Sequence, residues 1–456
     1  MTPVPGPVAV TGLGLFTPAG DGAAATWDRV LKAVPTAVVT PVPVPRDPVP
    51  YDPARPAPTA AVTRAAPAAE ASPATGAHER AYLTCPAPPF APERLGTARY
   101  RRPDLSGQFA LLAAVEAVRD AGFAVDPATL SAGWDEERAA VLVGSGAGCV
   151  TAYDTHHRKL RAGGPDAVSP YAVPTTLPNS LAAQLSIALR AGGPSAMVGT
   201  ACAAGATALC VAADMIRLGR CDTAVVVGTE APLNAFHLAG FDRIGALSHR
   251  LDDPSGASRP FDSGRDGFVA AEGAGALVLE RVEHAAARGA RAHALLLGHG
   301  SSSDAYNAVR PRDDGHGVAA AVRAALADSG LAAADIGYVN AHATGTPLGD
   351  AAEARVLARL LPHRPPVSST KGVTGHLFGA AGTVEAALTA LAVAHRVAPP
   401  TANLTHPSPD IDLDLPTAPR ALPTGPGQAA LSVSVGFGGH NTVLVLAPAQ
   451  DSPSWL

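Results

Sequence analysis

The sequence predicts an α/β fold built from two similar halves. Three observations point to it. Short apolar runs alternate with helical spacings along most of the chain, the pattern of strands in a mainly parallel sheet with helices between them. Apolar residues make up 47% of the 456 residues and charged residues 16%, against roughly 25% charged in an average soluble domain, so a large core or an oligomer interface can be buried. Two Ala-rich, weakly charged helices recur, one after Thr200-Ala201-Cys202-Ala203-Ala204-Gly205 and one after Thr374-Gly375-His376-Leu377-Phe378-Gly379. A helix apolar on all faces is a buried helix, and one in each half suggests duplication.

Each element follows in order. Val8-Ala9-Val10 reads as a buried strand, and Thr11-Gly12-Leu13-Gly14 as a glycine-rich turn. That turn is not G-x-G-x-x-G, so it gives no dinucleotide fingerprint. A short helix is expected from Thr26 to Ala33. Between Pro35 and Pro92, fifteen of 58 residues are Pro. Proline removes donors and blocks helices and central strands, so this stretch reads as an extended, partly mobile surface excursion. Phe109, Leu111, Leu112, Val115 and Val118 recur at helical spacing up to Gly122, a glycine that ends the helix. Ala139 to Val143 reads as a strand, Asn179 to Leu189 as a helix, and Ala196 to Val198 as a strand. Cys202 to Leu218 reads as a helix and Thr223 to Val227 as a strand. The plan then repeats: strands at 276–279 and 294–297, a helix at 318–329, a strand at 336–339, helices at 350–361 and 379–394, and strands at 430–435 and 442–446. The halves are expected over 1–268 and 269–456.

Composition excludes several classes. There are 34 Lys and Arg against 39 Asp and Glu, a formal charge of −5, which argues against nucleic acid or an anionic membrane as the main partner. Met1 to Pro7 hold no Lys or Arg, so a signal-type n-region is missing. No run of about 20 uninterrupted apolar residues is present, so no membrane span is expected. The cysteines are Cys85, Cys149, Cys202, Cys210 and Cys221. They are odd in number and never spaced C-x-x-C, so neither a disulfide framework nor a zinc site is expected, and a reducing cytoplasm suits them.

Cys202 falls at the first turn of an expected buried helix, where backbone amides favour a thiolate; a small buried thiol in the core is the alternative. His342 and His376 each sit beside Gly and Thr residues. A thiolate with two imidazoles suits acyl transfer with N–H donors for a developing oxyanion. Glu385 lies in an otherwise apolar helix, where a carboxylate needs a partner; Lys371 is the nearest in sequence, and two separate exposed charges are the alternative. Gly436-Phe437-Gly438-Gly439 is a turn whose backbone can approach a ligand closely.

These stretches together resemble the β-ketoacyl-acyl-carrier-protein synthases, the condensing enzymes of fatty-acid and polyketide synthesis. The matching runs are Val10 to Gly14, Gly199 to Gly205, Arg259 to Asp262, Arg265 to Val269, Glu272 to Gly275, Val339 to Thr346, Ser369 to His376 and Gly436 to Asn441. The resemblance implies a thiolase-type fold, two pseudo-duplicated halves in a five-layered α-β-α-β-α stack, and a dimer, either of like chains or with a chain-length-factor-like homologue. It implies that Cys202 is the nucleophile acylated from an acyl carrier protein. His342 and His376 match the pair that assists malonyl decarboxylation, with Lys371 and Glu385 as a supporting buried pair. The amides of Cys202 and Phe437 match the oxyanion hole, and the Phe437 ring a gate. Thr344 and Thr346 match residues that bond the 4′-phosphopantetheine arm, and Ala147 a side chain projecting into the acyl pocket. No metal or bound cofactor is implied. Val433-Ser434-Val435, Asn307 to Pro311, Ala343, Ala271 and the Pro-rich excursion depart from the family pattern and point to a discrete ketosynthase of a specialised polyketide or polyene pathway. A non-catalytic chain-length-factor-like partner, a thiolase or initiating synthase, and an acyltransferase using the same cysteine are the other readings.

Overall fold

The computed structural model describes residues 6–44, 78–101, 103–423 and 427–449. Ten strands form the body of one sheet: β1 Val8–Thr17, β2 Ala139–Gly144, β3 Ser195–Val198, β4 Thr223–Glu230, β5 Gly273–Arg281, β6 Ala294–Ser303, β7 Ile336–Asn340, β8 Val367–Ser368, β9 Ala429–Gly436 and β10 His440–Pro448. Their order is β8-β7-β9-β10-β6-β1-β5-β4-β2-β3. Outward from the middle, β1-β5-β4-β2-β3 and β6-β10-β9-β7-β8 repeat one plan. In each, two antiparallel pairings are followed by two parallel ones. Within the sheet, the two halves join where Val8 to Val10 pairs with Leu296 to Ala294.

The sheet is therefore mixed, not mainly parallel. Strands buried on both faces read as continuous apolar runs whichever way they point, so the sequence carried no direction signal. The repeat passes from β5 to β6, which leaves Gly273–Arg281 in the first half; the expected boundary at 268/269 falls one strand too early.

Five helices complete the layers: α1 Leu105–Asp120, α2 Ala204–Arg217, α3 His316–Ser329, α4 Pro347–Leu360 and α5 Ala381–His395. Helix α1 packs on β1, β5 and β4, and α3 on β6 and β10. Between the two half-sheets lie α2 and α5, packed on each other; α2 meets β2 and β4, and α5 meets strands of both halves. This is the α-β-α-β-α stack. Every residue of α5 from Ala381 to Val393 is buried. The stretch Phe378–His395 is long and apolar enough to cross a membrane, yet 89% of it is buried inside the protein, which makes it a core helix.

Two expectations change. Thr11-Gly12-Leu13-Gly14 is not a turn: β1 runs through it, with a bulge between Val10 and Gly12. The glycines are there because α1 lies close, and a Cβ on Gly12 or Gly14 would come within 2.0 Å of the Ala117 or Ala113 carbonyl oxygen. The Pro-rich excursion is ordered at both ends. Val38–Val44 pairs antiparallel with His78–Cys85, which continues parallel to Ala270–Ala271. Val38–Val44 is the edge of that small sheet, and Pro41 and Pro43, two residues apart, share one side of the strand, as proline in a sheet requires. The middle of the excursion lies outside the described residues.

Candidate active site

Four connections leave the C-terminal ends of strands and meet at one cavity of about 250 Å³, the usual place for a site in an α/β sheet. Cys202 follows β3, His342 follows β7, His376 follows β8 and Phe437 follows β9. All four line the cavity.

Cys202 sits in a 3-10 turn, Ala201–Ala203, just before α2. Ala201 holds φ at +49°, a left-handed conformation that a residue with a Cβ rarely adopts. Gly436 lets β9 run against this turn, since a Cβ there would lie 2.6 Å from the Thr200 carbonyl oxygen. The next residue, Phe437, lines the same cavity as Cys202, and its backbone N–H works to lower the pKa of the Cys202 thiol. Nε2 of His376 is 3.1 Å from that sulfur. The His342 and His376 rings meet edge to face with centroids 5.4 Å apart.

Electrostatics favour neutral forms. Burial, with Lys371 adding repulsion, holds both imidazoles well below their usual range. Burial, helped by Glu230, pushes the Cys202 thiol up to about 12, against the opposing pull of Lys371 and the Phe437 N–H. The expectation that helix amides stabilise a resting thiolate is thus corrected: at this buried sulfur desolvation outweighs them.

Behind the histidines, Lys371 and Glu385 form the expected buried ion pair, with side chains 1% and 3% exposed. Burial pushes Glu385 up to about 7 even with Lys371 in contact. Thr344 and Thr346 line the cavity with hydroxyls 3.1 Å apart. Ala147 and Gly438 do not line it in this chain. The Ala147 amide instead bonds Glu230 at 3.0 Å, and the Gly438 amide bonds the Ala308 carbonyl at 2.8 Å.

Sequence reasoning missed the carboxylates and rings that fix these loops. Buried Glu230 accepts from Ser145 Oγ at 2.8 Å and from the amides of Gly146, Ala147 and Gly379 at 2.7, 3.0 and 2.9 Å. It thereby ties the first half to the start of α5. Glu353 accepts from the amides of His342 and Ala343, both at 2.8 Å, and burial pushes it up to about 7. Phe241, Phe268 and Phe378 wall the cavity; Phe378 lies 4.9 Å and Phe268 5.2 Å from the His376 ring, centroid to centroid. Among the described residues, no three His, Cys, Asp or Glu side chains are placed to hold a metal ion.

A cysteine opposed by two neutral imidazoles and a backbone amide defines an acyl-transfer site. The chain belongs to the β-ketoacyl synthase family: its N-terminal domain model matches residues 6–285 and its C-terminal domain model residues 293–405. Among similar proteins, the 3-oxoacyl-[acyl-carrier-protein] synthase 2 of Vibrio harveyi is 42% identical over 76% of this chain and 82% of that protein. The protein of the same name from Staphylococcus aureus (strain COL) is 40% identical over the same shares. Solved structures agree. A type II polyketide acyl-carrier protein in complex with its hexaketide-bound ketosynthase (AntDE:AntF) matches with a TM-score of 0.79 and 28% identity over 98% of this chain and all of that one. The ishigamide ketosynthase/chain length factor matches with a TM-score of 0.79 and 29% identity over 97% and 99%. The chain is thus an acyltransferase of the condensing class, with the thiolase-type fold.

Proposed function

We propose that this chain catalyses decarboxylative Claisen condensation, joining an acyl group on Cys202 to malonyl-acyl-carrier-protein. The supporting observation is the placement of one sulfur, two neutral imidazoles and the Phe437 amide on a single buried cavity. Cys202 attacks the acyl thioester while His376 Nε2, at 3.1 Å, takes its proton; the carrier thiol leaves with a proton. The amides of Cys202 and Phe437 hold the oxyanion. With malonyl thioester in place, His342 and His376 each offer an N–H to its thioester oxygen. Loss of carbon dioxide leaves an enolate on those donors. The enolate carbon then attacks the acyl-Cys202 carbonyl, the C–S bond breaks, and a 3-oxoacyl chain two carbons longer departs on the carrier. Burial, with Lys371 adding repulsion, keeps both imidazoles neutral, so they donate without competing as acids.

The substrates arrive on a 4′-phosphopantetheine arm, with Thr344 and Thr346 at the cavity wall as its hydrogen-bonding partners. The AntDE:AntF structure, a carrier protein with its ketosynthase, supports a carrier partner. A second subunit, a like chain or a chain-length-factor-like homologue, is supported by the free edge of β3 and by Tyr171, Val173 and Ile187, which line one groove while 55–70% exposed. Likeness to polyketide ketosynthases and the departures at Asn307 to Pro311 and Val433 to Val435 favour polyketide or polyene extension. The test is incubation with acyl-carrier and malonyl-carrier and mass spectrometry of the carrier. A product heavier than the acyl-carrier by two carbons, two hydrogens and one oxygen supports condensation. Acyl exchange without carbon dioxide release indicates an acyltransferase only.

A further inference from the structure

Five Asp, Glu and Arg side chains line the active-site cavity, and four of them are committed. Glu353 accepts from the amides of His342 and Ala343. Asp350 accepts from the amides of Phe261 and Gly345 at 2.9 and 3.1 Å. Asp304 accepts from Asn441 Nδ2 at 2.9 Å, and Arg312 donates twice to Asp314, at 2.9 and 2.7 Å. Arg310 is the fifth. It is exposed, and its guanidinium has no ion-pair or hydrogen-bond partner among the described residues. Its backbone is nonetheless fixed. Asn307 Oδ1 accepts from the amides of Val309 and Arg310, both at 2.9 Å, an Asn-led turn. The same loop is stitched to the turn that carries Phe437: the Gly438 amide donates to the Ala308 carbonyl and the Asp304 amide to the Gly439 carbonyl, both at 2.8 Å. Arg310 also falls in Asn307 to Pro311, a stretch that departs from the family pattern, so this cation is particular to the chain.

Polarity changes in order along the lining. Beside Arg310, the apolar side chains of Ile244, Val309 and Leu348 line the cavity while 40–53% exposed. Thr346 is half-buried, and Thr344 and Cys202 are buried. A 4′-phosphopantetheine arm presents a matching series from its outer end inward: one phosphodiester charge, a carbon bearing two methyl groups, amides, and the thioester. We propose that Arg310 binds the phosphodiester of the arm and is a specificity-determining residue for phosphopantetheinyl thioesters, an inference that rests on the condensing-enzyme reading above. The guanidinium donates to the phosphate oxygens, a pairing its planar fork suits. Val309 and Leu348 meet the dimethyl carbon, and the threonine hydroxyls meet the amides. An acidic side chain of the carrier protein is the competing anion for an exposed arginine, and the test separates the two.

The test uses the whole protein and three donors of one acyl group: acyl-carrier protein, acyl-4′-phosphopantetheine, and acyl-pantetheine, which lacks the phosphate. Loading is read as acyl mass on the tryptic peptide 191–217, which holds Cys202 and Cys210, with tandem fragmentation to place it. At subsaturating donor the parent should load from acyl-4′-phosphopantetheine about fivefold faster than from acyl-pantetheine, the upper yield of an exposed charge pair, and high salt should shrink that preference. Arg310→Ala should abolish the preference and change the acyl-pantetheine rate less than about twofold. Arg310→Lys should keep part of it, as a point charge without the fork. Arg310 is exposed enough for its variants to fold, and matched melting curves establish that. A preference that survives in Arg310→Ala, or an equal loss from both small donors, overturns the inference and leaves the condensing-enzyme reading standing. A loss confined to acyl-carrier protein overturns it in favour of an acidic carrier side chain. Absence of Cys202 loading in the parent from all three donors overturns the condensing-enzyme reading, and this inference with it.

Discussion

Lys371→Met should unmask the cost of a buried carboxylate. Lys371 and Glu385 are 1% and 3% exposed at their side chains, and Lys371 donates to the Glu385 carboxylate, whose second oxygen has no partner among the described residues. Breaking a buried pair from one side costs about 3–5 kcal/mol, whereas replacing both members by apolar residues of similar volume is often close to neutral. Lys371→Met should therefore lose about 3–5 kcal/mol at pH 8, and Lys371→Met/Glu385→Leu should recover most of it. The pH dependence has a definite sign. The folded-state value of Glu385 is already raised to about 7, and removing the neighbouring cation raises it further. A raised carboxyl contributes stability that is present below about pH 4.5 and lost as pH rises through the folded value. The single variant should thus approach the parent at pH 5 and fall away by pH 8. Urea unfolding of the parent, both single variants and the double variant at the two pH values measures this. Additive losses with no coupling, or an equal loss at pH 5 and pH 8, would refute the reasoning.

Three further outcomes follow from the same geometry. Cys202→Ala should abolish acyl loading, with tandem fragmentation of peptide 191–217 showing the acyl mass on Cys202 in the parent; an acyl group on Cys210 instead contradicts the assignment. His342→Ala should cut carbon dioxide release roughly 10²–10³-fold, the usual cost of one oxyanion donor, and leave loading largely intact. His376→Ala should slow both, because its Nε2 is 3.1 Å from the sulfur; rapid-quench loading assays separate the two. Glu353 is raised to about 7 by burial, so it supplies stability below about pH 4.5 that is lost as pH rises to 7, about 3 kcal/mol across that window. Glu353→Gln should flatten that slope in urea midpoints taken from pH 4.5 to 7.5, and an unaltered slope would count against its burial as the cause.

The site's position follows from the duplication. The sequence showed two Ala-rich helices, one entered through Cys202 and one through His376, and in the structure these are α2 and α5, the central pair. Each is entered after the outermost strand of its half, β3 or β8, and each opens with a 3-10 turn, Ala201–Ala203 or Phe378–Ala380. Each turn starts on a residue at φ +49°, Ala201 and Phe378. The proposed nucleophile Cys202 and its proposed proton acceptor His376 therefore flank related turns in the two repeats, and packing α2 on α5 brings them within hydrogen-bond reach. This was legible because composition alone marks a helix buried on every face, and because the chemistry-bearing residues flank it. What escaped notice depends on distance in space. Glu230 stands 149 residues from the Gly379 amide it accepts from, and no spacing in the chain signals that bond. Glu353 looks like any charge in an ordinary helix until its helix is laid against the strand end that carries His342. Strand direction was hidden because β1 and β5, buried on both faces and paired antiparallel, read like β4 and β2, which pair parallel. The residues proposed to do chemistry announced themselves by type, whereas the carboxylates that hold their loops in register could be found only once the two halves were closed on each other.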